Sequence, residues 1–570
     1  MNKNKLIIIF VCIMLLLASC GGKEAEITES SSESKQTQTS GAALSWDIMK
    51  NVDETFPVEQ YVKDEKEKWN IGRNVEFTWY FNYNHHYCTK PWTEYEALKI
   101  AADITGINVT GTIPTGDPSE KVRLMMATNE LPDFVTLGYG DPLGLELIEG
   151  GYVYCLDDLI SEYVPEFKNE IPSVVRDSGI YEDIDGKMWS ISGVTLPEWL
   201  LKEKKDPSIG NFSYNVRKDL WKALGEPSIA TPDELYNTLK LFKKTYPTLN
   251  GKTSIGISGY ATGVGAMMTI GYSFGIYDNY YDEATKICTL SYFNPNYPEF
   301  IAYMNKLYRE GLMDPEIFIK DDQKVIEDLS TCAFMMPYVW HAADPANAVL
   351  NAKDPESHFI AIPPMSATGK PFAFPGASRI GGAVETFVTK KCKDPEAAVK
   401  LIRYGFSPTG TMQICQGTPG IHYYVENGVY YRPEKLVDEI NKDPAAFNNR
   451  TGIWDYYSLW YQPMPGKRSD SPDRVKYDIP NSVPYAFDST IMRYKMTPSG
   501  STDAGVALAT ILTIANNATR AIAAPTAEES AQIIEKMLKD IRNTKDYDKL
   551  EKFMTERYTK NLERFGGPLY

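Results

Sequence analysis

Aromatic rings set beside amides, carboxylates and a histidine pair are the residues of this 570-residue chain best suited to chemistry. They gather in three segments: Trp79-Tyr80-Phe81-Asn82-Tyr83-Asn84-His85-His86, Gly138-Tyr139-Gly140-Asp141 and Met336-Pro337-Tyr338-Val339-Trp340. A flat ring stacks on the apolar C–H face of a pyranose, and amides, carboxylates and imidazoles pair with the hydroxyl rim. The ligand candidates are Tyr80, Asn82, His85, Tyr139, Asp141 and Trp340, with Tyr260 added to the set. Trp340 is read as a ring-stacking contact. For the other aromatics, packing inside the protein stands as an equal reading, and Trp189 is read as core.

Catalytic arrangements find little support. His85-His86 lacks a nearby carboxylate and the H-E-x-x-H spacing of a metal site. Gly263-Val264-Gly265 lacks the next glycine and the helix of a phosphate loop, so it reads as a turn, and no G-x-S-x-G elbow occurs. With 75 acids, carboxylate pairs are everywhere, which leaves a glycosidase dyad open without pointing to one. Cys88, Cys155, Cys288, Cys332, Cys392 and Cys415 are widely and irregularly spaced with no C-x-x-C pair. They suggest neither zinc nor a disulfide scaffold, so buried free thiols are expected, with one disulfide left open. No catalytic residue, metal or cofactor is assigned.

The elements that must position these residues begin after a targeting segment. Lys3 and Lys5 precede an apolar run from Leu6 to Ala18 that ends in Leu17-Ala18-Ser19-Cys20-Gly21. This is the pattern of a secretory signal, and the run is shorter than the roughly twenty apolar residues of a membrane span. The ending resembles the bacterial lipobox, which implies cleavage after residue 19 and lipidation of Cys20. Residues 20–45 are rich in Ser, Thr, Glu, Gln and Lys, a composition expected to stay disordered as a tether. The chain is then anchored at the cell membrane, on its extracellular or periplasmic face. A formal charge of −16 and a pI near 5.0 make nucleic acid a poor partner.

Residues 46–570 alternate strand-like and helix-like patterns, which predicts an α/β fold. Asn74 to Tyr80 reads as a strand, Thr93 to Thr105 as a helix stopped by Gly106, and Ile107 to Thr112 as a second strand. Pro118 to Asn129 reads as a helix before a buried strand, Leu131 to Leu137. Thr231-Pro232-Asp233-Glu234 and Asp394-Pro395-Glu396-Ala397 place a cap, a proline and acids as helix starts do. Cys332 to Val339 is apolar enough for a buried strand that Pro337 ends. Two amphipathic helices, Glu528 to Arg542 and Asp546 to Arg564, close the chain.

Several segments in this order resemble the family 1 extracellular solute-binding proteins, most closely their large LplA-type lipoproteins. They are Val122 to Thr136, Gly151 to Ile160, Asp185 to Ile191, Tyr214 to Gly225, Tyr308 to Pro315 and Lys393 to Ala398. The resemblance implies a two-lobe periplasmic-binding-protein fold of type 2, with ligand between hinged lobes. One lobe is expected at about 70–195 plus a stretch after about 380, the other at about 212–375 plus part of the C-terminal region. The chain is expected to cross near Ile191 to Asn211 and near Phe374 to Val384. The resemblance further implies a monomer that captures a carbohydrate, an oligosaccharide in the first instance, and delivers it to the permease of an ABC importer without catalysis. A surface-anchored glycoside-active enzyme and a peptide binder of the same fold are the alternatives. Met336 to Trp340 is similar to the segment of maltose-binding protein that ends in a ligand-stacking tryptophan. Some relatives carry a calcium loop where this chain has Tyr246 to Ser254. That stretch keeps Asn250-Gly251-Lys252 but has no carboxylate, so calcium is not expected there.

Overall fold

The computed structural model describes residues 51–83, 88–182, 184–193, 214–259, 266–337, 343–354, 356–370, 374–375, 384–426, 429–453, 456–459, 486–487 and 489–566. The strands of two main sheets are, in chain order, β1 (Val75–Phe81), β2 (Ile107–Thr112), β3 (Phe134–Gly138), β4 (Ile191–Gly193), β5 (Tyr214–Arg217), β6 (Ile255–Ile257), β7 (Ala333–Met336), β8 (Phe359–Ile362) and β9 (Val384–Val388). The described residues form two compact units, one of 51–193 with 384–459 and one of 214–375 with 486–566. The expected crossings near residues 194–211 and 376–383 lie outside the described residues.

In the first unit the sheet order is β2-β1-β3-β9-β4. β1 runs parallel to β2 and β3, whereas β9 is antiparallel to both β3 and β4. Alternation along β1 puts Phe77, Trp79 and Phe81 on one face. There Trp79 stacks on Phe81 at 5.4 Å and on Phe134 at 4.5 Å. The Trp79 indole donates to Thr136 Oγ1 at 2.7 Å, and Thr136 in turn shares a hydrogen bond with Thr386 of β9. The polar atoms of this buried seam thus satisfy one another. The helix Glu96–Thr105 ends at Gly106, whose φ of 78° suits glycine. A Cβ there would also stand 2.6 Å from the Arg73 carbonyl oxygen.

In the second unit the order is β8-β5-β7-β6, with β7 parallel to β6 and β5 antiparallel to both its neighbours. The helix Pro232–Thr245 starts on a full capping box at Thr231 and Glu234. It buries Leu235, Leu239 and Phe242, the last stacked on Phe334 at 4.6 Å. The helices Ala527–Arg542 and Tyr547–Phe565 return to the same core through Ile534, Met537, Ile541, Leu550 and Met554. β7 ends at Met336, with Pro337 following, as its sequence predicts. Among the described residues no helix is long and apolar enough to cross a membrane.

Candidate functional site

Open α/β sheets bind ligands beyond the carboxyl ends of their parallel strands. In the first unit that edge is where β3 ends at Gly138, β9 begins at Val384 and β4 ends at Gly193. Tyr139-Gly140-Asp141 turns the chain there, with the Asp141 amide donating to the Gly138 carbonyl at 3.1 Å. Pro142 then opens the helix Pro142–Glu149, and Asp141 is its N-cap, accepting from the Leu143 amide at 2.9 Å.

Three stretches of chain meet beside this turn. Glu385, only 1% exposed, sits second on β9. Its Oε2 accepts from Tyr181 Oη at 2.7 Å and from Ser190 Oγ at 3.0 Å, and its Oε1 accepts from the Gly140 amide at 3.2 Å. Tyr139 donates through its hydroxyl to the Ser178 carbonyl at 3.3 Å. Gly144 lets the helix press on this group, since a Cβ would meet Tyr181 Oη at 2.8 Å.

Asp141 is the incomplete member. Its Oδ1 serves the helix cap, but its Oδ2 is buried with no hydrogen-bond partner. Among the described residues no other Asp or Glu oxygen is in that position. Burial pushes its carboxyl up from 3.8 to about 6, and Glu385 and Glu146 add to the rise. The Leu143 amide and Arg123 act in the opposite sense. Arg123 itself is committed to Glu146, with contacts of 3.2 and 2.9 Å. A buried polar atom without a partner costs about 1–3 kcal/mol, which sets this oxygen apart from the satisfied carboxylate of Glu385.

Of the other sequence candidates, Tyr80 is core. It lies within β1, which is covered on both faces near its end, and its ring belongs to the cluster of Val122, Leu137 and Phe387. Its hydroxyl donates to the Pro118 carbonyl at 3.3 Å and reaches Asn82 Oδ1 at 3.4 Å. Asn82, just after the strand, donates its amide N–H to the Thr136 carbonyl at 2.9 Å. The structure therefore brings Tyr139 and Asp141 together and sets Tyr80 behind Asn82. Trp189 is half-buried, its indole donating to Asp185 at 2.9 Å. Cys20, His85, Tyr260 and Trp340 lie outside the described residues.

The second unit has a matching strand edge, where β6 and β7 end and β5 begins. Asn215 donates to the Met336 carbonyl at 3.1 Å, and Tyr214 shares a hydrogen bond with Ser273 at 2.8 Å. The Ser258 and Thr269 hydroxyls are buried without partners. Nearby in the chain, Tyr272 stacks on Tyr277, which meets the edge of Phe487. Arg493 pairs through Nε with Asp278 at 2.6 Å. None of Glu385, Tyr181, Ser190 or Arg493 was signalled by sequence, because each gains its meaning from a partner far along the chain.

Among the described residues no group of three His, Cys, Asp or Glu side chains could hold a metal. In the stretch compared with a calcium loop, Thr248–Leu249 and Lys252–Thr253 form a hairpin. Asn250 donates to the Thr331 carbonyl at 2.6 Å and the Lys252 ammonium pairs with Glu327. The six cysteines from Cys88 to Cys415 are buried thiols outside any disulfide. Burial pushes the Cys155 thiol up to about 11 and those of Cys288 and Cys392 up to about 12, which disfavours a nucleophilic thiolate.

Residues 91–412 match the sequence model of the bacterial extracellular solute-binding proteins. An uncharacterized protein in the butB 5' region of Niallia circulans is 35% identical over 168 residues, 28% of this chain and 63% of that protein. Lipoprotein LipO of Bacillus subtilis (strain 168) is 23% identical over 238 residues, 40% of this chain and 43% of the relative. The chain thus matches less than two thirds of the length of either. An extracellular solute-binding protein from Bifidobacterium longum subsp. infantis superposes with a TM-score of 0.63 at 16% identity, over 86% of this chain and 98% of that one. An alginate-binding protein solved without calcium ion gives 0.60 at 18%, over 86% and 99%. An EF-hand mutant of an S. pneumoniae ABC-transporter substrate-binding protein, in complex with fructo-nystose, gives 0.59 at 17%, over 86% and 100%. At these identities the likeness is one of fold, the α/β fold of the solute-binding proteins.

Proposed function

This chain belongs to the bacterial extracellular solute-binding proteins, and on that premise we propose that it captures a carbohydrate and hands it to the permease of an ABC importer. The observation that carries the reading is the strand edge of the first unit, where Asp141 presents a buried acceptor with nothing to accept. Tyr139 lies two residues away and Glu385 is held by donors on both oxygens, so a ring and a fixed polar rim stand together. A hydroxyl-rich ligand supplies the missing donor. Fold neighbours named as binding alginate or complexed with fructo-nystose support a glycan as that ligand. Trp340 is proposed to stack on a sugar ring and Asn82 to add a polar contact. Cys20 is proposed to carry the lipid that keeps the chain at the extracellular side of the membrane, where it acts as a monomer without turnover.

The deciding experiment is calorimetric titration of the purified chain with neutral, amino and acidic oligosaccharides, followed by chromatography of each mixture after incubation. Binding with intact sugar supports the reading. Cleavage of the sugar would make the chain an enzyme, and binding only to peptides would replace the ligand class. Labelled lipid that still attaches to Cys20→Ala would remove the anchor.

A further inference from the structure

The charged groups around Asp141 carry information about the ligand that the fold does not. Asp117, Asp141, Glu146 and Glu385 lie within electrostatic reach of one another or of Arg123. Among the described residues, Arg123 is the cation that interacts with Asp117, Asp141 and Glu146, and Glu146 holds it in a two-point contact. Each remaining acid already has a structural task. Asp117 caps the helix Pro118–Thr128 through the Ser119 and Glu120 amides, and Glu385 is gripped by Tyr181, Ser190 and Gly140. A helix N-terminus is the usual seat for an anion, because its free amides point outward. Here the helix Pro142–Glu149 offers no such seat, since the Asp141 carboxylate itself takes the Leu143 amide. In the second unit, the Arg493 guanidinium pairs through Nε with Asp278, and its Nη2 is buried without a partner.

We infer that the chain sorts glycans by charge, taking neutral or amine-bearing sugars and rejecting uronates, with Asp141 as the residue that decides. This rests on the carbohydrate reading above. A hydroxyl or ammonium hydrogen completes Asp141 Oδ2, whereas a sugar carboxylate brings a like charge against a buried acid that has, among the described residues, no vacant cation beside it. The alginate-binding neighbour shares the fold, so the fold permits acidic ligands and the local charges must select.

The test uses the purified chain and its Asp141→Asn variant at pH 7.5, titrated calorimetrically. The probes are malto-, manno-, xylo-, fructo- and chito-oligosaccharides, chitosan oligomers, and oligomers of mannuronate and galacturonate of equal length. Asparagine is as good an N-cap as aspartate, so the variant keeps the helix start. We expect wild type to bind a neutral or amine-bearing member at least ~100-fold more tightly than any uronate, the scale of a like-charge clash. Asp141→Asn should weaken that ligand about tenfold or more and narrow the gap to the uronates. Uronates bound as tightly as neutral sugars overturn the inference while leaving the carbohydrate reading intact. So does an Asp141→Asn variant with unchanged affinity and unchanged selectivity. A wild-type chain that binds no sugar in the panel removes the carbohydrate reading, and this inference with it.

Discussion

Two groups of buried charge, one in each unit, use the same residue types to opposite ends. In the second unit Lys320 is paired with both Asp314 and Asp328, and all three side chains are at most 4% exposed. The other oxygens are also met: Asp314 Oδ1 accepts from the Glu316 amide at 3.0 Å, and Asp328 Oδ1 stands 3.3 Å from Lys324. In the first unit, Asp141 keeps an oxygen with no donor. Burial is common to both, so burial is not the mark of a binding residue. The closed group explains itself as a brace that ties the turn after Met313 to the helix Asp322–Thr331. The open one leaves an acceptor unused, the place where the proposed ligand would donate.

The largest expected effect breaks the closed group. Lys320→Met leaves two carboxylates buried without their cation, a loss of the kind that costs roughly 3–5 kcal/mol. Urea unfolding should show that drop, while the folded variant binds its sugar as wild type does. A variant that unfolds normally but no longer binds would erase the distinction between the two groups.

Asp141→Asn should move stability the other way. Its carboxyl is raised from 3.8 to about 6, so ionisation works against the folded state. A raised acid contributes stability that is complete below 3.8 and is lost as pH rises through about 6. The displacement corresponds to roughly 3 kcal/mol at neutral pH, which asparagine does not lose. The variant should therefore melt higher than wild type at pH 7.5, match it below about pH 4, and bind more weakly. Stability gained at the expense of binding is the signature of a functional residue. Equal melting at both pH values would contradict the burial of an ionised Asp141.

Local signals in the sequence were readable wherever one element carries its own instructions. The Thr231 cap, the Asp394 cap, the stop at Gly106 and the end of β7 before Pro337 all form where the residues predict. Asp141 was legible as a polar loop residue after a buried strand. Its burial beside Glu385 was not, because that neighbour arrives from a stretch of chain more than two hundred residues away. Tyr80 shows the other failure. Both faces of β1 are covered near its end, with Trp79 and Phe81 buried on one and Tyr80 on the other, and alternation along a single strand does not tell which faces other elements will cover. Trp79 is similar, an apparent cleft residue locked between Phe81 and Phe134.

A third buried group sharpens the comparison through pH. His422, 2% exposed, accepts the Thr418 amide on Nδ1, and burial lowers it from 6.5 to about 3. The charges of Arg432 and Arg450 act in the same direction. Glu96 lies 3.9 Å from Nε2 and would favour protonation, but Arg450 already holds that carboxylate. A lowered histidine contributes stability present above 6.5 and lost as pH falls toward the folded value. Between pH 7.5 and 5, wild type should therefore lose about 2 kcal/mol more than His422→Gln does, read from urea midpoints. Parallel losses in the two proteins would mean that His422 is already charged in the fold.

The smallest effect comes from a cap that is complete and exposed. Thr231 Oγ1 accepts from the Glu234 amide at 3.3 Å, and Glu234 Oε2 accepts from the Thr231 amide at 3.1 Å and from Ser228 Oγ at 2.8 Å. Like Asp141, Thr231 is an N-cap with a proline at the first helical position. Unlike Asp141, it carries no charge, and solvent can reach the amide it would leave behind. Thr231→Ala should therefore cost only about 1 kcal/mol. That cost should be the same at pH 5 and pH 7.5, with sugar affinity unchanged. Thermal unfolding at the two pH values checks this directly. If Thr231→Ala shifted with pH or altered binding as Asp141→Asn is expected to, those effects would belong to capping in general. Asp141 would then lose its claim as a ligand group.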